Sequence, residues 1–127
     1  MRNFKTLKVW QLGKEIAVDI FQLATQLDKE IQFVFSSQVT RAAVSISSNI
    51  AEGNSRQSTK DYARFLEIAL GSAFEVETQI LIILDICPDQ SARINDVLSK
   101  LEEEQKMLFG LLKKLRTPNS LQLIPRY

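Results

Sequence analysis

A chain of 127 residues, 45% hydrophobic and 24% charged, is sized for one globular domain that can bury its own core without a staple. Its net charge of +1 excludes a strong diffuse grip on nucleic acid or anionic membrane and leaves only local patches for such contacts. The absence of histidine and a cysteine count of one (Cys87) remove the commonest general base, an intramolecular disulfide and a thiolate metal cage within one chain.

The opening MRNFKTLKVW lacks the apolar core of a signal peptide, and the longest apolar run, residues 80–84, is too short to span a bilayer. A cytoplasmic protein with no membrane partner is expected. A first helix is predicted over residues 7–27, with Thr6 as N-cap. Val9, Ile16, Ile20, Leu23 and Leu27 form its apolar stripe, widened by Trp10, Ala17, Phe21 and Ala24. A second helix is predicted over residues 37–52, capped by Ser36 and carrying Val39, Ala43, Ile46 and Ile50. Gly53 then suits the left-handed position that ends a helix.

The third helix has the strongest pattern. Ser58 to Asp61 resembles a capping box, with Asp where Glu or Gln is usual. Tyr62, Leu66, Ala69, Ala73, Val76, Ile80, Ile83 and Cys87 then recur at steps of four and three until Pro88. A helix of that span is about 40 Å long. The fourth starts at Asp89 or Ser91 and ends at Arg116, before Pro118. Its seam reads Ile94, Leu98, Leu101, Gln105, Leu108, Leu112 and Leu115, with Gln105 the single polar member. Glu102 and Lys106 form a favourable pair on its outer face.

Four helices with short connections and heptad-like seams make an all-α, antiparallel up-down-up-down bundle over residues 1–116. The tail, 117–127, is not helical. Its Leu121, Leu123 and Ile124 either dock on the bundle or a neighbour, or belong to a loosely ordered terminus. The third helix carries a second stripe, Phe65, Ile68, Ser72, Glu75, Gln79, Ile82 and Ile86, which exceeds what one bundle needs. It reads as a subunit interface or as a broad monomer core, the interface being favoured. Gly71 and Ser72 in mid-helix fit close approach of another helix, or plain tolerance on a surface.

The segment joining the second and third helices draws the functional question. Arg41, Ser45, Ser48, Asn49 and Glu52 share one side of the second helix. Glu52 lies in the last turn, where the helix dipole disfavours an acid, so it needs a partner from Arg56, Arg64 or Arg41. The leading reading is structural: Asn49 and Glu52 bond the backbone of the 53–57 turn, and an arginine neutralises Glu52. The second is a site for an anion or a nucleic-acid backbone, built from Arg41, Arg56, Lys60 and Arg64 at the amino end of the third helix. Catalysis by Glu52 is the weakest, since a lone carboxylate has neither histidine nor metal to work with. A helix-turn-helix reading fails on the length and apolar face of the third helix.

The string SIxxNIAEG, an arginine, a serine and F-L-x-x-A-x-G-S-x-x-E falls here on Ser45, Ile46, Asn49, Ile50, Ala51, Glu52, Gly53, Arg56, Ser58, Phe65, Leu66, Ala69, Gly71, Ser72 and Glu75. With Phe4, Leu7, Val9, Trp10 and Gln11 near the amino terminus, it resembles the signature of the large-subunit ribosomal RNA intervening-sequence proteins. The resemblance spans nearly the whole chain except the tail. It implies a four-helix bundle that assembles into a ring, a pentamer, in a family without an established biochemical activity. The family is similar to the accessory variability protein of diversity-generating retroelements, a basic pentamer that binds nucleic acid and a reverse transcriptase. This chain, near neutral, departs from that relative in charge. The expected function is a non-enzymatic homo-oligomer that scaffolds RNA or a ribonucleoprotein partner, without cofactor or metal. The alternative is a protein–protein adaptor that binds no nucleic acid.

Overall fold

The computed structural model describes residues 3–117. The 118–127 stretch, including Pro118 and the tail's Leu121, Leu123 and Ile124, lies outside the described residues. Four α-helices follow one another: α1 (Lys8–Thr25), α2 (Lys29–Asn54), α3 (Thr59–Ile86) and α4 (Ser91–Arg116). Short 3-10 turns precede α1 at Phe4–Thr6 and α4 at Pro88–Gln90. Among the described residues there is no strand, and no helix is long and apolar enough to cross a membrane.

Each helix packs on its chain neighbours, and α4 closes the bundle against α1. Contacts across every interface run in opposite order. Thr25 meets Gln32, and Gly13 lies against Ile46, on α1–α2. Asn54 meets Tyr62, and Ser45 meets Ser72, on α2–α3. Glu67 meets Arg116, and Glu77 meets Gln105, on α3–α4. Asp19 meets Lys100, and Gly13 lies against Glu104, on α1–α4. The topology is therefore up-down-up-down.

The apolar seams supply the core as read from the sequence. Val9, Ile16, Ile20 and Leu23 of α1, Val39, Ala43, Ile46 and Ile50 of α2, and all eight members of the α3 repeat from Tyr62 to Cys87 are buried. Each fully buried Leu or Ile contributes on the order of 1.5–3 kcal/mol. A lysine clamps α4 to α1: Lys100 Nζ reaches Asp19 at 2.6 Å and Glu15 at 2.9 Å, with Asp96 of its own helix at 3.5 Å. The hydrogen bond to Asp19, then that to Glu15, holds this ammonium above the ordinary lysine range.

Several boundaries and one seam differ from expectation. Thr6 does not cap α1. It belongs to the 3-10 turn capped by Asn3, and Leu7 occupies the N-cap of α1 without a side-chain bond. Helix α2 starts at Lys29, eight residues before the expected 37, so Ser36 lies inside it. The added turns pack Ile31 and Phe35 against the core, in step with Val39. Phe33 (92% exposed) and Val34 lie on the outer side and blur the stripe in the sequence. Gln32, also in this part, donates to Leu27 O at 2.7 Å and so satisfies a carbonyl at the α1 exit.

On α4 the buried residues are Ile94, Val97, Leu101, Glu104, Leu108, Leu111, Leu112 and Leu115. Leu98 and Gln105 are only half-buried, and Gln105 donates to Glu77 of α3 at 2.8 Å. The buried polar member is Glu104, with no exposed surface. Five of the expected seam residues, Ile94, Leu101, Leu108, Leu112 and Leu115, are buried, and Val97 and Glu104 take the inner places expected for Leu98 and Gln105. A glutamate in an apolar pattern reads as solvent-facing, so the sequence alone does not point to Glu104.

Gly71 is exposed, and a Cβ there would meet nothing within 4 Å. The close helix approach expected there does not occur within the chain. It occurs at Gly13, where a Cβ would stand 2.8 Å from Glu104 Oε2 and 3.3 Å from Ile46 Cγ2. Gly71→Ala should therefore stabilise the protomer by about 1 kcal/mol through helix propensity. Gly13→Ala should cost about 1–3 kcal/mol through overpacking. Urea unfolding of the two variants checks the opposite signs.

Candidate functional site

The α2–α3 corner is built on a glycine used for closeness. Gly53 is a helical residue inside α2, not the left-handed terminator expected. A Cβ on it would stand 2.7 Å from Phe65 Cβ, 3.1 Å from Tyr62 Cδ1 and 3.3 Å from Tyr62 O. The chain leaves the helix one residue after Asn54. Ser55 N–H donates to Ala51 O and Glu52 O, Ser55 Oγ donates to Glu52 O at 2.6 Å, and Arg56 N–H donates to Gly53 O at 3.0 Å. Ser58 then caps α3, its Oγ accepting from Asp61 N–H at 3.0 Å. Asp61 in that first turn suits the helix dipole.

Two polar ties join the helices behind the turn. Ser45 Oγ and Ser72 Oγ are 2.8 Å apart across the α2–α3 seam. Asn49 Nδ2 donates to Ser45 O at 2.8 Å and to Ser45 Oγ at 2.9 Å. Asn49 thus braces its own helix one turn back, rather than the 53–57 backbone as expected. The second tie was not anticipated: Asn54, buried to 5% exposure, donates to Tyr62 Oη at 3.1 Å. Its neighbour Gly53 was the only signal at that position. Ser48 is exposed, as is Glu75, which accepts from Gln79 Nε2 at 3.2 Å.

The basic residues divide into three kinds. Arg56 is Glu52's partner, at 2.9 Å, and its guanidinium carbon lies 4.8 Å from the centre of the Phe65 ring. Arg64 stacks on the same ring at 4.6 Å and makes no ion pair with Glu52. Lys60 and Arg64 line an open cleft of about 660 Å³ with Asp61, Glu67 and Arg116. Arg116 comes from the last turn of α4, which also holds Lys113 and Lys114. The antiparallel α3–α4 pairing sets that turn beside the first turn of α3. Arg116 is held by Glu67. Among the described residues neither Lys60 nor Arg64 has an ion-pair partner.

Arg41 does not join this group. It lies on α2 within reach of Ser37 Oγ at 3.5 Å, and lines a separate groove with Phe21 and Thr40. Fifteen residues of helix and turn separate it from Arg56, roughly 20 Å at 1.5 Å per residue. The expected four-residue basic cluster is therefore Lys60 and Arg64 with Arg116 added, Arg56 engaged at its edge and Arg41 elsewhere. The side chains present can bind an anion by charge and by the α3 amino end. Among the described residues no group of His, Cys, Asp and Glu is placed to hold a metal ion.

The family model described as 23S rRNA-intervening sequence protein matches residues 5–110. No curated protein matches the chain.

The corner separates close packing from surface charge. Gly53→Ala should destabilise by about 1–3 kcal/mol, because the obstructing atoms include the Tyr62 backbone. Glu52→Ala should cost less than about 1 kcal/mol, since both partners of the Glu52–Arg56 pair are about half exposed. Thermal melts of both variants beside the wild type check the ranking.

Proposed function

Given that the chain belongs to the 23S rRNA-intervening sequence protein family, we propose that it is a non-enzymatic helical-bundle protein whose copies assemble, and whose α3–α4 end holds the phosphate backbone of an RNA or ribonucleoprotein partner. The observation that carries the binding part is the open cleft where Lys60 and Arg64 stand without acidic partners among the described residues, beside Arg116 and the amino end of α3. Phosphate suits such a place, because the first turn of a helix favours anions and Lys60 and Arg64 line the same cleft, although Asp61 and Glu67 line it too. The Phe65 ring orients Arg64 and lowers the entropy lost when the guanidinium binds. With a net charge of +1, one such site is weak, and repetition around an oligomer multiplies it. The lack of histidine in the chain supports a binding rather than a catalytic role.

Assembly is supported by the part of the second α3 stripe that stays exposed; Phe65 and Ser72 of that stripe are buried inside the bundle. Ile68, Ile82 and Ile86 are each more than 40% exposed on one side of the helix, along with Gly71. The bundle has no use for them, whereas a helix of another copy could approach closely at Gly71. The same surface supports a second reading, a protein–protein adaptor without nucleic acid, to which exposed Phe33 adds an anchor.

A gel shift on structured RNA at low salt should show binding that weakens steeply as salt rises. Lys60→Ala with Arg64→Ala should lower affinity about tenfold or more and flatten the salt dependence. Arg41→Ala should leave that end of the bundle unaffected. Absence of binding, or binding indifferent to the double substitution, leaves the adaptor reading. In light scattering at micromolar concentration the 14.5 kDa chain should run as a multiple of its mass, five copies being what the family resemblance implies. Ile82→Glu with Ile86→Glu should return it to a monomer. A wild-type monomer refutes assembly through α3.

A further inference from the structure

Glu104 stands at an inner position of α4, between Ile94–Leu101 on one side and Leu108–Leu115 on the other. It has no exposed surface, and neither carboxyl oxygen has a hydrogen-bond partner. Across the seam it meets Gly13 of α1, and Ile46 and Ser47 of α2 border the same space where a Gly13 Cβ would stand. A Cβ built on Gly13 lies 2.8 Å from Oε2, so the missing side chain of Gly13 is the space the carboxyl occupies. Ser47 does not turn to it, since its hydroxyl donates to Val44 O at 3.4 Å.

The charges around it give no compensation. On α2, residues 42–51 contain no ionisable side chain. On α1, Lys14 and Glu15 flank Gly13, but Lys14 lies over the Trp10 ring and Glu15 is drawn to Lys100. On α4, Lys100 one turn away is shared by Glu15, Asp19 and Asp96, Lys106 is paired with Glu102, and Glu103 adds a like charge. Glu77, the acid that α3 brings to this level of α4, is bonded to Gln105. Among the described residues, no lysine or arginine makes an ion pair with Glu104.

We propose that Glu104 is a proton-operated strut: as a neutral carboxylic acid it fills the seam between α4 and α1 at Gly13, folding takes up a proton there, and loss of that proton loosens α4 from α1. An isolated carboxylate in this place would be a buried charge without a partner, which proteins avoid by keeping the proton. Burial, and secondarily Glu103, pushes the carboxyl from 4.5 up to about 9. A group raised in this direction is an acid that the unfolded chain releases earlier than the folded one. Its stabilising contribution is complete below the unfolded value and is lost progressively as pH climbs towards the folded one.

The test is urea unfolding of the wild type and Glu104→Gln, which keeps the shape and removes the proton, across pH 5 to 9. The unfolding constant of the wild type should rise relative to the variant by about tenfold per pH unit through most of this range. Parallel curves overturn the proposal. Infrared spectroscopy of the wild type alone decides the matter if Glu104→Gln does not fold. A protonated-carboxyl stretch present at pH 7 in the folded chain and lost on unfolding is expected. Folded protein at pH 7 with carboxylate bands only refutes it.

Discussion

The closeness of α2 and α3 at Gly53 is the constraint from which the arrangement at this end of the bundle follows. Because Gly53 has no side chain, Phe65 Cβ and the Tyr62 backbone can stand where a methyl group would otherwise be. That contact seats Tyr62 beside Asn54 and brings the Phe65 ring under Arg56 and Arg64. It also fixes where α3 begins, and the antiparallel pairing then places the last turn of α4 alongside. A wider crossing would separate the ring from both guanidiniums and leave Asn54 to solvent.

Among the described residues, ion pairs engage only some of the cations. Lys100 joins two acids of α1 to its own helix, Arg56 answers Glu52, and Arg116 answers Glu67. The Arg56 and Arg116 pairs are about half exposed and contribute modestly to stability, whereas Lys100 and Asp19 are largely covered. Lys60 and Arg64 are among the unpaired ones, and they share one end of the molecule with Lys113 and Lys114 of the last turn of α4. A near-neutral chain can thus present a local basic site, a distinction that net charge conceals.

The interior tolerates polarity where a neighbour makes room for it. Asn54 is buried with a tyrosine hydroxyl as partner, and Ser72 shares a hydrogen bond with Ser45. Glu104 has space from Gly13 but no partner, so its proton does the work that a counter-ion does elsewhere. Both close-approach glycines, Gly13 and Gly53, face a bulky or polar group on another helix. Gly71 faces open space, which separates packing glycines from a glycine with no role inside the chain.

Much of the fold was legible because burial imposes a period. Val9 to Leu23, Val39 to Ile50 and above all Tyr62 to Cys87 repeat with the spacing of a helix face, and each of these residues is inside. The Ser58 cap was legible too, since its function is local. The start of α2 was hidden by Phe33 and Val34, apolar residues on the wet side. On α4 the pattern points to Leu98 and Gln105 where the structure buries Val97 and Glu104, because a glutamate reads as solvent-facing. Gly53 looked like a helix stop because glycine serves both turns and close contacts, and sequence spacing does not distinguish them. What the sequence by itself determined is the number of helices, the inner faces of the first three and the family, because periodic burial and a signature string are properties of neighbouring residues along the chain. Only the tertiary structure decided that Arg41 stands apart, that Arg116 joins Lys60 and Arg64, and that Glu104 is enclosed. Those outcomes depend on which helix lies opposite which, at distances that no local pattern encodes.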